Sequence, residues 1–287
     1  MSETFVASKL SGSDIADPRR MYTELLKKTL TRYTFGEAWQ PYEPRPRSLR
    51  GTLVRQGRRV LHRRGLELVS KFSFDADARA NGRDWPPDAE TMVGLRRLDN
   101  VEHCVLDVLR RGVPGDLIET GVWRGGTVIF MRALLAAYAE HDRTVWVADS
   151  FRGLPKPEAH RVEDVEDALW TVPFLAVSLP QVKENFRRYG LLDEQVRFLP
   201  GWFEDTLPDA PVERIAVMRL DGDLYDSTSV ALRSLYPKLS VGGYVIIDDY
   251  HAVRGCQQAV DDFRAEFGIT DELVPVDWTC RYWQRTR

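Results

Sequence analysis

Two short acidic clusters stand out as residues able to do chemistry. One is Met218-Arg-Leu-Asp221-Gly-Asp223-Leu-Tyr225, the other Val245-Ile-Ile-Asp248-Asp249-Tyr250-His251. Each follows a largely apolar run of strand length. In parallel α/β sheets, ligands bind outside the carboxyl ends of the strands, so Asp221, Asp248 and Asp249 are expected to converge on one crevice. Crowded carboxylates raise one another's proton affinity. A hard divalent cation removes that conflict, and carboxylate oxygens with open water positions suit Mg²⁺. Taken singly, Asp-Gly-Asp also fits a turn and Asp-Asp a helix cap.

A second pair of features lies upstream. The run Glu119-Thr-Gly121-Val-Trp-Arg-Gly125-Gly126-Thr127 places a glycine turn directly after a strand and before a helix. Such a turn lets a ligand approach the backbone and offers it free N–H groups. The spacing is not Gly-x-Gly-x-x-Gly, so the dinucleotide fingerprint is poorly matched. It is closer to the acidic Glu-x-Gly-x-x-x-Gly turn of S-adenosylmethionine (SAM) enzymes, in which Glu119 would meet the methionine ammonium. The next strand, Thr144-Val-Trp-Val-Ala-Asp149-Ser150, ends in an acid able to accept from both ribose hydroxyls. NAD shares the ribose logic and remains the competing cofactor. A tight βα turn and a helix-capping acid are the purely structural alternatives.

These motifs need a scaffold, and the pattern after Gly112 supplies one. Short apolar runs alternate with helical runs, as in βαβ units. Strands are expected at 116–122, 144–149, 195–199, 214–220 and 243–248, and helices at 126–141, 179–189, 227–239 and 254–267. Runs at 272–276 and 280–284 suggest a terminal hairpin, giving about seven strands with an antiparallel ending. Upstream, a helix should begin at Asp17 or Pro18, with Met21, Tyr22, Leu25, Leu26, Leu30 and Tyr33 in an apolar stripe. Met92, Leu95, Leu98, Val101, Val105 and Val108 mark another helix or pair of helices. Residues 1–18 are polar and expected to be loose. The division expected is a helical extension over 1–84 and the main domain over 85–287.

Composition bounds the reading. The chain has 287 residues, 40 Lys+Arg against 43 Asp+Glu and 43% hydrophobic residues, enough for a sizeable core. The near-neutral balance argues against a nucleic-acid-binding protein, which needs a clustered positive field. Charge is nevertheless uneven: Arg45 to Arg64 holds eight arginines and no acid. Cys104, Cys256 and Cys280 are widely spaced, with no Cys-x-x-Cys, so neither a zinc site nor a disulfide framework is indicated and a cytoplasmic location is the default. The start is polar, so no signal peptide is expected, and no apolar run approaches the roughly 20 residues of a membrane span.

Glu119-Thr-Gly-Val-Trp-Arg-Gly-Gly, Trp146-Val-Ala-Asp-Ser-Phe, Arg197-Phe-Leu-Pro-Gly-Trp-Phe, Leu220-Asp-Gly-Asp-Leu-Tyr and Ile247-Asp-Asp-Tyr together closely resemble the macrocin O-methyltransferase (TylF-like) family. The likeness runs from about Arg83 to the C-terminus. The helix around Met21–Leu30 also resembles the family's N-terminal segment. The resemblance implies a Rossmann-like class I SAM-dependent methyltransferase fold, and SAM and Mg²⁺ as cofactors. It implies methyl transfer to a sugar hydroxyl of a glycosylated, antibiotic-type natural product. It further implies that Asp221, Asp248 and Asp249 hold the metal, with Asp221 also the general base. Glu119, Thr120, Gly121, Trp123, Thr127, Asp149 and Ser150 would contact SAM, and Gly201, Trp202 and Phe203 would lie near the adenine. Homo-oligomerisation through the N-terminal helix is expected. His251 is given no role.

The expected mechanism follows physically. Mg²⁺ chelation of vicinal hydroxyls lowers the pKa of the reacting one, Asp221 takes its proton, and the oxygen attacks the sulfonium methyl in line. Methylation of a catechol-type or other vicinal diol, an NAD-dependent oxidoreductase and a non-catalytic SAM-binding module are the alternatives. The absence of a clear Tyr-x-x-x-Lys pair counts against the oxidoreductase. One departure from the family is an insertion covering about Ala38–Asn81, which contains the arginine run. That run reads as solvated surface, a membrane- or partner-binding helix, or a steering patch for an anionic acceptor. Tyr22, Tyr33, Trp39, Tyr42 and Trp85 are candidates for closing an acceptor pocket, with core or interface packing as the alternative.

Overall fold

The computed structural model describes residues 17–36, 38–42 and 49–287. The expectation of a loose start at 1–18 therefore falls outside the described residues except at its last two positions. Arg45 and Arg47 of the arginine run also lie outside.

Helix α1 (Pro18–Leu30) begins as its residues dictate. Asp17 accepts a hydrogen bond from the Arg19 N–H at 3.0 Å, and Pro18, with no N–H of its own, occupies the first turn. A small two-stranded antiparallel sheet follows, β1 (Ala38–Pro41) with β2 (Val69–Phe72), and the arginine-rich helix α2 (Leu49–His62) connects them. Short α3 (Ala76–Ala80) leads to α4 (Leu95–Arg111), a single helix that ends at Gly112 in the left-handed conformation.

The α/β part then runs β3 (Asp116–Thr120), α5 (Gly126–Ala137), β4 (Val145–Asp149), α6 (Leu179–Arg188), β5 (Val196–Pro200) and α7 (Phe203–Thr206). It continues with β6 (Ile215–Leu220), α8 (Tyr225–Leu235), β7 (Leu239–Ile247), α9 (Arg254–Glu266), β8 (Val274–Pro275) and β9 (Arg281–Gln284). The sheet order is β5-β4-β3-β6-β7-β9-β8. Strands β3 to β7 are parallel, and β9 is antiparallel to β7 and β8. This is the expected seven-stranded, mostly parallel α/β sheet with an antiparallel ending.

Alternation along the strands divides the core. Leu117, Val217 and Ile246 enter one layer with α1, α4, α5 and α6, while Ile118, Met218 and Ile247 enter the other with α8 and α9. Helix α1 shares the first layer through Leu26 and Leu30. It is also pinned to α4 by the buried Lys27, whose ammonium reaches Asp99 at 2.5 Å and Glu102 at 2.9 Å.

Two boundaries differ from expectation for identifiable reasons. Helix α8 starts before Ser227 because its first turn is capped from a distance: Asp164 accepts the Tyr225 N–H at 2.8 Å, 61 residues away in sequence. Strand β7 starts at Leu239, before Gly243, because Leu239 pairs with Ile215 of β6 ahead of a register shift. No described helix is long and apolar enough to cross a membrane.

Candidate active site

The sheet order reverses between β3 and β6, and the site lies outside the carboxyl ends of the strands there. Backbone bonds carry each strand end past its last paired residue. Asp221 N donates to Thr120 O at 2.9 Å, Asp248 N to Leu220 O at 3.0 Å, and Gly121 N to Ala148 O at 2.8 Å. Gly121 has φ +80, and a Cβ on it would lie 1.8 Å from the carbonyl oxygen of Asp221. Only glycine lets the cofactor-type turn and the acidic strand end approach this closely.

A cavity of about 640 Å³ opens over these ends, within the range of small-molecule sites. Glu119, Gly121, Trp123, Thr127, Asp149, Ser150, Trp202 and Phe203 line it, as do Asp221, Asp223, Asp248 and Asp249. Thr120 and Gly201 do not; Thr120 is fully buried behind the wall. Trp85 lines the cavity, whereas Tyr22, Tyr33, Trp39 and Tyr42 are not on its wall. Among the described residues, none of α2 lines it either.

The four aspartates divide into two environments. Carboxylate oxygens of Asp221, Asp223 and Asp249 lie within 4.8 Å of one another. Burial and mutual repulsion push all three carboxyls above the ordinary range; Asp248 is the largest charged contributor at Asp221, Asp221 at Asp223 and Asp223 at Asp249. Asp248 is not in that group. Its two oxygens meet the guanidiniums of Arg97 and Arg219. Burial opposes its ionisation, but Arg219 and Arg97 outweigh it and hold the carboxyl below the usual range. The structure therefore brings together two of the three aspartates expected to share a metal, and adds Asp223.

Arg219 is the hub. It is buried on β6 and bonded to Glu119, to Asp221 at 3.0 Å and to Asp248. Sequence reasoning passed over it, although an arginine inside the apolar run Val217-Met218-Arg219-Leu220 is itself a signal, because a buried charge must be paired. Arg97 was also passed over; it sits one turn into α4 and also binds Asp277. Glu119, Asp221, Asp248 and Asp277 thus share two guanidiniums, while Asp223 and Asp249 have no arginine ion pair among the described residues.

That excess of negative charge fits cationic ligands. Glu119 is buried, and burial pushes its carboxyl up to about 8 against the pull of Arg219. Its second oxygen has no hydrogen-bond partner, so it is free to accept from an ammonium group. The three-carboxylate cluster has the all-oxygen donor set of a hard divalent cation. Asp149 has a structural task as well: it accepts from Val122 N at 2.8 Å and Phe151 N at 2.6 Å, bracing the two turns at the cofactor end.

Comparison with known proteins identifies the family. The macrocin O-methyltransferase (TylF) family model matches residues 19–285. A Streptomyces olivaceus 8-demethyl-8-(2,3-dimethoxy-alpha-L-rhamnosyl)-tetracenomycin-C 4'-O-methyltransferase is 50% identical over 272 residues, 94% of each chain. The demethyldecarbamoylnovobiocin O-methyltransferase of Streptomyces niveus is 54% identical over 226 residues, covering 75% of this chain and 83% of the relative. The solved structure of the O-methyltransferase NovP is 47% identical and covers 94% of this chain and 100% of its own, with a TM-score of 0.80. The chain belongs to the macrocin O-methyltransferase (TylF) family and is an O-methyltransferase.

Proposed function

We propose that this enzyme transfers the methyl group of SAM to a sugar hydroxyl of a glycosylated natural product, assisted by Mg²⁺. The observation that carries the reading is the joining of Asp221, Asp223 and Asp249 in one cavity with the glycine turn at Gly121. Family membership and the rhamnosyl substrate named for the Streptomyces olivaceus relative support it.

Glu119 holds the ammonium of the cofactor, whose sulfonium supplies an electrophilic methyl. Trp123, Thr127, Asp149, Ser150, Trp202 and Phe203 line its place in the cavity. Thr120, buried at the end of β3, and Gly201, just after β5, neighbour the lining residues rather than form the wall. Asp221 and Asp249 would hold a divalent cation, with Asp223 beside them. Bound there, it would supply the charge that lowers the pKa of a chelated hydroxyl. Asp248 acts as a brace, since both of its oxygens are committed to arginine. Asp221 would accept the proton of the reacting hydroxyl as its oxygen takes the methyl group and the methyl–sulfur bond breaks, leaving the neutral thioether S-adenosylhomocysteine. Arg219 keeps Glu119, Asp221 and Asp248 in register, so the two reactants meet in a fixed geometry that provides much of the acceleration.

A second assignment of the base has its own support. Asp221 is hydrogen-bonded to Arg219, which reduces its basicity, whereas Asp223 has no arginine partner among the described residues. Asp223 is held at φ +55, a conformation unusual for aspartate that persists where the surroundings enforce it.

The test is mass spectrometry of incubations with SAM, Mg²⁺ and a panel of glycosides that includes a catechol. A glycoside heavier by one methylene, formed only with Mg²⁺, is expected. Methylation of the catechol alone, or full activity in rigorously metal-free enzyme, overturns the reading.

A further inference from the structure

The segment Asp277-Trp278-Thr279 leads into β9, and only Asp277 of it, through Arg97, has entered the site as described so far. Its outer residues share one guanidinium. Arg97 donates from Nε to Asp277 at 2.7 Å and from a terminal nitrogen to Thr279 Oγ1 at 2.5 Å. The same arginine grips Asp248, and Thr279 Oγ1 in turn donates to the Asp248 carbonyl at 3.0 Å. Asp277 and Thr279 are buried, whereas Trp278 between them is 47% exposed and lines the cavity.

The Trp278 side chain is also anchored. Its indole N–H donates to the Asn81 carbonyl at 2.9 Å, and the Arg83 guanidinium lies 5.8 Å from the ring centroid. The turn carrying Asn81 is pressed on the start of α4, where a Cβ on Gly94 would fall 2.3 Å from the Ala80 carbonyl oxygen. An isolated exposed aromatic needs no explanation. Here the backbone is clamped on both sides, the one polar atom is satisfied, and the remaining apolar surface forms cavity wall. Trp85, four residues beyond Asn81, is 46% exposed and lines the same cavity. It stacks on Phe174 with planes 6° apart and centroids 5.9 Å apart.

We infer that Trp278, together with Trp85, is the platform for the non-reacting part of the acceptor, an apolar or aromatic aglycone, and that it sets preference among glycosides carrying the same sugar. The inference rests on the O-methyltransferase reading of this cavity. The aspartates take the polar, reacting end; rigid aromatic faces at the rim take the apolar remainder with little loss of side-chain entropy. Because Asp277 and Thr279 join the platform to Arg97 and Asp248, the two ends of the acceptor site are held at a fixed distance.

The test compares p-nitrophenyl α-L-rhamnoside with methyl α-L-rhamnoside as acceptors for the wild type, Trp278→Ala and Trp278→Phe, with SAM and Mg²⁺. The wild type is expected to show a lower KM for the aryl glycoside. In Trp278→Ala that KM should rise about tenfold towards the methyl glycoside's, and Trp278→Phe should recover part of the difference. S-adenosylhomocysteine affinity and melting temperature report whether each variant is folded. A wild-type ratio of aryl to methyl KM that persists in folded Trp278→Ala, or the absence of an aryl preference in the wild type, overturns the inference alone. A wild type that methylates neither glycoside overturns the functional reading and this inference with it.

Discussion

The guanidinium of Arg219 donates to the carboxylate of Asp221, two residues further along the chain, at 3.0 Å. The period of two along β6 places both on one side of the sheet, and the same guanidinium also bonds Glu119 and Asp248. Arg219→Met would leave the buried Glu119 and Asp248, and the half-buried Asp221, short of their shared counter-charge. Removing one partner of a buried ion pair costs about 3–5 kcal/mol, so a large drop in denaturant midpoint is expected. Arg219→Lys keeps the charge but not the fork and should fall between the two. A variant as stable as the wild type would contradict the hub role.

Asp248 and Asp249 are adjacent but should behave differently. Asp249→Asn is expected to lower Mg²⁺ affinity, read by titration calorimetry, at least tenfold while changing stability little. Asp248→Asn strips the partner from two buried arginines and should chiefly lower the melting temperature. Equal loss of Mg²⁺ affinity in both would return Asp248 to the ligand set.

The two candidate bases are separable by kinetics. Loss of a general base costs about 10²- to 10⁴-fold in rate. Loss of kcat on this scale in Asp223→Asn, with Mg²⁺ affinity retained, would mark Asp223 as the proton acceptor in place of Asp221. Asp221→Asn is expected to lose both kcat and metal affinity, as a residue that binds the cation and takes the proton.

Glu119 gives a pH prediction with a definite sign. Burial pushes its carboxyl in the folded protein up to about 8 from an ordinary value of 4.5. Between those values the folded state holds a proton that the unfolded state has released, so stability falls as pH rises through this window. Asp248, held below the ordinary range, contributes in the opposite sense, with stability lost as pH falls through its folded value. In ligand-free protein, melting temperatures from pH 5 to 8 should decline more steeply for the wild type than for Glu119→Gln. Parallel curves would refute the assignment.

Self-association is a proposal that α1 makes testable. Leu26 and Leu30 face the core, while Met21 and Leu25 are exposed, 59% and 61%. The double substitution Met21→Glu with Leu25→Glu is expected to lower the sedimenting mass without lowering the melting temperature. An unchanged mass would place any interface elsewhere.

What the sequence determined by itself is local. The α1 cap at Asp17 and Pro18, the glycine turn after Glu119 and the acids after β4, β6 and β7 depend on neighbours within a few residues, so the βαβ order and the cavity's location were legible. Boundaries failed where the cause was distant, as at α8, capped by Asp164 from 61 residues away. The roles within the acidic cluster were likewise out of reach. Asp221, Asp248 and Asp249 look equivalent as strand-end acids, and it is Arg97, 151 residues before Asp248, that joins Arg219 in taking Asp248 out of the group. Trp278 became part of the site only when the terminal hairpin docked against α4. Backbone patterns are set by short-range sterics and hydrogen bonds, but the charge state of a buried carboxylate depends on every ion packed against it, and only the tertiary structure decides which ions those are.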